Sequence, residues 1–288
     1  MFASLSRSWQ FAKMSYSMIW IHKRLLVFPV ISSIAAVLVM ASFVLPLWQT
    51  GQLVEWLQFL DEETVTQTDP FMYVTAFLFY FCNYFVIVFF NVGLVSSVMR
   101  IMNGGSASIG YGLSCALKRL PQIFGWALIS AVIGVLLKAI ENSNKRAARI
   151  VVAILGSAWT ALTYFVIPVI VVDGYSPVKA FRESTSILKK SWGTALVGGF
   201  SLGFIGFLLT LPLILVLCLV FGAAFNSGNE FAMVASVVFA VVSIMLLVAS
   251  SAAADGIFKV YLYTWATGRS LPEDTNVDSF DDAFRRRR

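Results

Sequence analysis

Six stretches of this chain contain no Asp, Glu, Lys or Arg: residues 25–48, 71–99, 120–137, 150–172, 191–229 and 231–254. A helix needs about 20 predominantly apolar residues to cross a hydrocarbon layer roughly 30 Å thick. Inside lipid a helix satisfies every backbone polar group within its own segment, which is what an isolated apolar run requires. Six such runs predict six spanning helices, the third being the shortest. The composition agrees: only 12% of the 288 residues are charged, against about 25% in soluble domains. The expected fold is all-α, a six-helix transmembrane bundle over residues 1–268, followed by a disordered cytoplasmic tail over 269–288. The first run follows a polar, basic leader and ends in "LPLWQTG". It lacks small residues at cleavage spacing and is expected to be kept as a span rather than removed as a signal peptide.

Charge predicts the orientation. The leader carries Arg7, Lys13, Lys23 and Arg24 and no acid, whereas 49–70 carries Glu55, Asp61, Glu62, Glu63 and Asp69 and no base. Segment 100–120 holds Arg100, Lys118 and Arg119. Segment 173–192 holds Lys179, Arg182, Lys189 and Lys190 against Asp173 and Glu183. Basic residues collect on the cytoplasmic side, so both termini are placed there, N-in and C-in. The same rule accounts for the net charge of +6 without invoking nucleic acid. One loop dissents: 138–150, "KAIENSNKRAARI", must face outward yet holds Lys138, Lys145, Arg146 and Arg149 against a single Glu. Either it lies against the headgroups, or helices three and four form a hairpin that does not fully cross. The length of 150–172 favours the first.

The pattern reads as three repeats of an interfacial amphipathic helix followed by a transmembrane hairpin: units 1–105, 106–174 and 175–268. Leu5, Trp9, Ala12, Tyr16 and Ile19 precede "HKR"; Ile109, Leu113, Ala116 and Leu120 precede the second hairpin; Val178, Phe181, Thr185 and Leu188 precede the third. Steps of three and four put apolar side chains on one helical face while Lys and Arg reach the headgroups. Each returning helix ends in glycine, at "NGG" 103–105, "DG" 173–174 and "TG" 267–268, where a left-handed C-terminal turn is expected. Ser176 and Pro177 form an N-cap and first-residue pair. The last run is long, and "GIFKVYLYTWATG" is expected to protrude into the cytosol. Pro168 and Pro212 are expected to kink helices four and five.

Reactive chemistry is sparse. Gly199-Phe200-Ser201-Leu202-Gly203 matches G-x-S-x-G, but a hydrolase elbow needs a preceding strand, a histidine and an acid. Here Ser201 lies inside an uncharged run, and the only histidine, His22, is in the leader. The motif is better read as G-x-x-x-G helix packing, with Gly199, Gly203 and Gly206 letting a neighbouring backbone approach. No metal site is expected from one histidine and the dispersed Cys82, Cys115 and Cys218, and no phosphate- or dinucleotide-binding loop or other cofactor site is present. No ionisable residue falls mid-span, where proton or ion relays place them.

What remains is polar rather than reactive. Asn83, Asn91, Thr160 and Tyr164 are candidate walls of a polar cavity or, alternatively, interhelical glue. Ser157 and Thr163 share a face with Thr160. Arg100, Asp173, Asp255 and Lys259 are a candidate cytoplasmic-face cluster. Asp255 and Lys259 have the i,i+4 spacing of an ion pair, and Asp173, opposing its helix dipole, calls for a basic partner such as Lys179 or Arg182.

The leader with "LLVFPVISSI", then "AWTALTYFVIPVIVVDG", "KAFRESTSILKKSWG" and "YLYTWATG", resembles a bacterial family of polytopic membrane proteins, domain of unknown function 6159. It is also distantly similar to the membrane portion of some glycerophosphodiesterases. The resemblance implies a multi-pass protein of the bacterial inner (cytoplasmic) membrane. It carries no catalytic residues, and no phosphodiesterase domain is expected. The resulting expectation is a non-enzymatic scaffold or accessory protein whose partners are membrane lipid or another membrane protein. The alternative is a channel or carrier for a small or amphiphilic molecule through the bundle. The oligomeric state stays open.

Overall fold

The structure is a computed structural model and describes residues 13–60, 70–141 and 146–269. Leader residues 1–12, the acids at 61–69, loop residues 142–145 and the tail from 270 onward lie outside the described residues. Every described element is helical: α1 (13–21), a 3-10 turn (Lys23–Leu26) running into α2 (Val27–Gln49), α3 (Leu53–Leu60), α4 (Pro70–Met102) and α5 (Ile109–Lys118). There follow α6 (Leu120–Glu141), α7 (Arg146–Leu162), α8 (Val166–Asp173), α9 (Pro177–Asn226) and α10 (Glu230–Ala266). Six segments are long and apolar enough to cross a membrane: Lys23–Gln49, Pro70–Met102, Leu120–Glu141, Ala148–Asp173, Gly206–Asn226 and Glu230–Ala266. Each lies on one of the six uncharged runs, because those runs contain no charge to oppose their insertion as helices into an apolar medium.

The helix ends follow the glycines. At the end of α4 the Gly104 N–H donates to the Ile101 carbonyl at 2.9 Å, and the Gly105 N–H to the Arg100 carbonyl at 2.9 Å. This double turn requires a left-handed residue, and Gly104 supplies φ +80°. Gly174 and Gly268, at +66° and +68°, end α8 and α10. Pro177 opens α9, where the Ala180 N–H donates to the Ser176 carbonyl at 2.8 Å.

Two expectations are corrected and a third is sharpened. The third amphipathic stretch is not a separate helix: it is continuous with the fifth span in α9, 50 residues or about 75 Å at 1.5 Å per residue. No proline falls between Pro177 and Pro212 to stop it, and α9 runs on through Pro212. Helix four does not kink at Pro168 but breaks before it, between α7 and α8. Proline has no N–H, and its ring crowds the carbonyl four residues back, here Tyr164. The chain turns at that point with 3-10-type bonds from Tyr164 N–H to the Ala161 carbonyl (3.2 Å) and Val166 N–H to the Thr163 carbonyl (3.1 Å). Finally, "GIFKVYLYTWATG", expected to protrude, is packed against the rest of its unit: Gly256, Ile257, Phe258 and Val260–Thr264 are all buried.

Two compact units form. One takes its described residues from Met1–Val30, Ser97–Ile109 and Lys190–Arg288, the other from Ile31–Ser96 and Gly110–Lys189. In the first, the final turns of α10 pack against the Lys23–Leu26 turn, and Leu25, Phe28, Phe258 and Tyr263 are among the largest fully buried side chains. The Tyr261 hydroxyl lies 4.0 Å from Met18 Sδ on α1. In the second, Trp126 on α6, Trp159 on α7 and Phe181 on α9 stack, with Trp159 5.6 Å from each of the other two rings. A Cβ on Gly125 would lie 2.9 Å from the Pro177 ring, so α6 meets the start of α9 at a glycine. The short amphipathic α3, which the sequence reading did not anticipate, seats Trp56 with Leu47, Met72 and Ala76. Its signal was present in Leu53, Trp56, Leu57 and Leu60, one helical face hidden by the acids around it.

Candidate functional site

The candidate polar residues turn inward on their own helices. Asn83 Nδ2 donates to the Phe79 carbonyl at 2.9 Å. Thr160 Oγ1 donates to the Gly156 carbonyl at 2.9 Å, and Ser157 and Thr163 bond to carbonyls four residues back at 2.7 and 2.8 Å. Ser157 and Thr160 are nonetheless exposed. A hydroxyl that satisfies itself on its own backbone can face hydrocarbon at little cost, because its donor is never orphaned. Asn91, two turns beyond Asn83 on α4, is half-buried, and Tyr164 sits in the break after α7 with its ring edge-on to Phe165.

That break contains the most specific polar contact among the described residues. Ser184, on α9 and fully buried, accepts from the Phe165 N–H at 3.0 Å and donates to the Leu162 carbonyl at 2.7 Å. One hydroxyl thereby replaces the helical bonds lost where α7 gives way to α8. The sequence offered no signal for it, since Ser184 stands among similar residues in "RESTS".

The charged candidates divide between the units. Asp255 Oδ2 and Lys259 Nζ form a 2.6 Å ion pair, both partly exposed, an arrangement worth about 0.3–0.5 kcal/mol. Arg100, in the same unit, folds over its own helix end. A Cβ on Gly105 would lie 2.8 Å from Arg100 Cγ. Asp173 belongs to the other unit. The basic group placed at its helix end is Arg119, which sequence reasoning did not select: a Cβ on Gly174 would fall 2.9 Å from the guanidinium carbon. Lys179 instead holds its ammonium 3.6 Å over the Tyr175 ring, a cation–π contact. Lys138, counted above as an unbalanced outward charge, is 7% exposed and bonds Glu141 Oε2 at 3.2 Å within the last turn of α6. That pair joins the loop's single acid to one of its four bases, and the loop's net positive charge stays with Lys145, Arg146 and Arg149.

Of the glycine stripe, Gly199 and Ser201 lie where α9 is described only by its backbone. That backbone is helical on both sides of Ser201, so the strand-to-helix turn of a hydrolase elbow is not formed there. A Cβ on Gly203 would meet nothing within 4 Å, whereas one on Gly206 would lie 3.7 Å from Ser251 Oγ on α10. No group of three or more His, Cys, Asp or Glu able to hold a metal occurs among the described residues.

No curated protein and no solved structure matches the chain. A family model described as a family of unknown function, DUF6159, matches residues 71–271. That match takes in α4 through α10 and well over half of the sequence, so the chain belongs to the DUF6159 family.

Proposed function

We propose that this multi-pass membrane protein is a non-enzymatic scaffold or accessory protein that binds lipid, or another membrane protein, along open apolar helix faces. The carrying observation is the exposure of the fifth and sixth spans: only 6% of the apolar window is buried in each, against 50% in α4. Phe207, Leu211, Leu215, Leu219, Phe231 and Val234 are among the large side chains these spans leave uncovered. Patches of this kind mark membrane or protein contact. The self-satisfied hydroxyls of α7 add support, because a water-lined path would turn such groups toward its lumen. The charge pattern supports N-in, C-in insertion, and the family resemblance supports the inner membrane of a bacterium. The α5–α6 pair, a short basic amphipathic helix before a span, supports the threefold repeat in its second unit; the continuous α9 departs from it in the third.

The test is reconstitution of the purified protein into liposomes, with flux of small solutes followed beside native mass spectrometry of what co-purifies. Bound lipid or protein partner with no flux above empty liposomes is the expected result. Solute flux that scales with protein content would overturn the scaffold in favour of the channel or carrier.

A further inference from the structure

A cavity of about 940 Å³ lies within the unit that contains α1 and α10. Its size falls near the top of the roughly 300–1,000 Å³ range of small-molecule sites. Three helical faces wall it. Lys13, Tyr16, Ser17 and Trp20 follow the i, i+3, i+4, i+7 spacing of a single face of α1, and Lys23 and Leu26 extend it through the 3-10 turn. Ser243, Leu246, Leu247 and Ser250 repeat that spacing on α10, and Leu209 and Leu213 face it from α9. The polarity is divided: both lysines come from the α1 side, and the α9 and α10 walls are four leucines and two serines. No acid lines the cavity among the described residues.

Two lysines beside an apolar wall, with no carboxylate lining the cavity among the described residues, call for an occupant carrying negative charge at one end and hydrocarbon at the other. Tyr16 and Trp20 are the residue types that sit where headgroup meets acyl chain, and Lys23 Nζ is 5.8 Å from the Trp20 ring centroid. Lysine stems can lie along apolar surface while their ammonium groups reach a polar head. Ser243 and Ser250 keep α10 narrow on the same face as Leu246 and Leu247. A soluble phosphate compound would leave the leucines unmet. A zwitterionic lipid would bring an amine to a site that no acid lines among the described residues.

We propose that this groove holds one anionic phospholipid, its phosphate at Lys13 and Lys23 and its acyl chains along Leu209, Leu213, Leu246 and Leu247. The assignment rests on the lipid-binding function proposed above and gives it a site and a headgroup charge.

The experiment places the full chain in nanodiscs of equal parts phosphatidylglycerol and phosphatidylethanolamine with matched acyl chains, and reads retained lipid by native mass spectrometry. Wild type should retain phosphatidylglycerol selectively. Each lysine removed should weaken that retention about fivefold, the factor that corresponds to about 1 kcal/mol per basic residue. The double variant Lys13→Gln/Lys23→Gln should therefore lose roughly 25-fold. Leu247→Trp, which fills the groove without touching charge, should also expel the lipid. Lys118→Gln, exposed on α5, should behave as wild type. The groove is excluded by wild type showing no preference, by either groove variant retaining phosphatidylglycerol undiminished, or by Lys118→Gln losing as much as the double variant. Solute flux through wild-type liposomes, read separately, overturns the broader scaffold function whatever the lipid count, so the two failures are distinguishable.

Discussion

Ser184 does with one hydroxyl what two helical hydrogen bonds would otherwise do, and its burial makes that exchange costly to undo. Ser184→Ala leaves the Phe165 N–H and Leu162 carbonyl without this partner. Buried polar groups stripped of a partner cost about 1–3 kcal/mol. The variant should unfold at measurably lower temperature in a fixed detergent, and an unchanged midpoint would show that the hydroxyl is dispensable. Gly174 is constrained twice, by φ +66° and by the Arg119 guanidinium against its backbone. Gly174→Ala should cost on the order of 1–3 kcal/mol in the same assay, whereas Arg119→Ala combined with it should recover the steric part and not the backbone part. The glycine was legible in the sequence because a helix ending before "GYSP" needs a left-handed residue. Ser184 was not, because its partners lie 19 and 22 positions away and identical-looking hydroxyls flank it.

Between elements, the α9 stripe separates two glycines that look equivalent in sequence. A side chain at Gly206 runs toward Ser251 on α10, while one at Gly203 enters open space. Gly206→Leu should destabilise the α9–α10 contact by about 1–3 kcal/mol through overpacking. Gly203→Leu should be neutral, or stabilising by up to about 1 kcal/mol through helix propensity. Chemical unfolding of the two variants side by side checks this. The opposite order would mean that another chain packs on Gly203. The spans themselves were legible, since an uncharged run of spanning length leaves a chain few alternatives. The break between α7 and α8 was half legible: Pro168 signalled it, but the site of rupture depended on where the freed backbone groups could be satisfied, and Ser184 decided that. The merging of the third amphipathic stretch into α9 was not legible, because a basic amphipathic turn followed by an apolar run has the same local pattern bent or straight.

At the scale of the molecule, the N-in, C-in insertion proposed from the distribution of Lys and Arg would put α5 on the cytoplasmic face. Cys115, half-buried on α5, should react with a membrane-impermeant maleimide only from that face of oriented vesicles, and labelling from outside would invert the topology. Cys218 is exposed but lies within the fifth span. It should stay unlabelled from either side until detergent is added, because its exposure is to hydrocarbon. Labelling of Cys218 in intact vesicles would reveal a water-filled path along α9 and with it the channel. Mean hydropathy is highest in the fifth and sixth spans, 2.7 and 2.8 against 2.0 in the half-buried α4, so their openness was partly signalled; an average over a span does not say which of its faces stays uncovered.

Length, charge and local backbone chemistry are properties of short stretches, and they alone determined that this chain is helical, where its six apolar spans lie and which glycines end the helices. Which face of each helix is covered, which hydroxyl repairs a broken one, and which two lysines share a cavity with five leucines were decided only by packing. Those relations join residues far apart in the chain, and their energies arise from contacts that no local window contains.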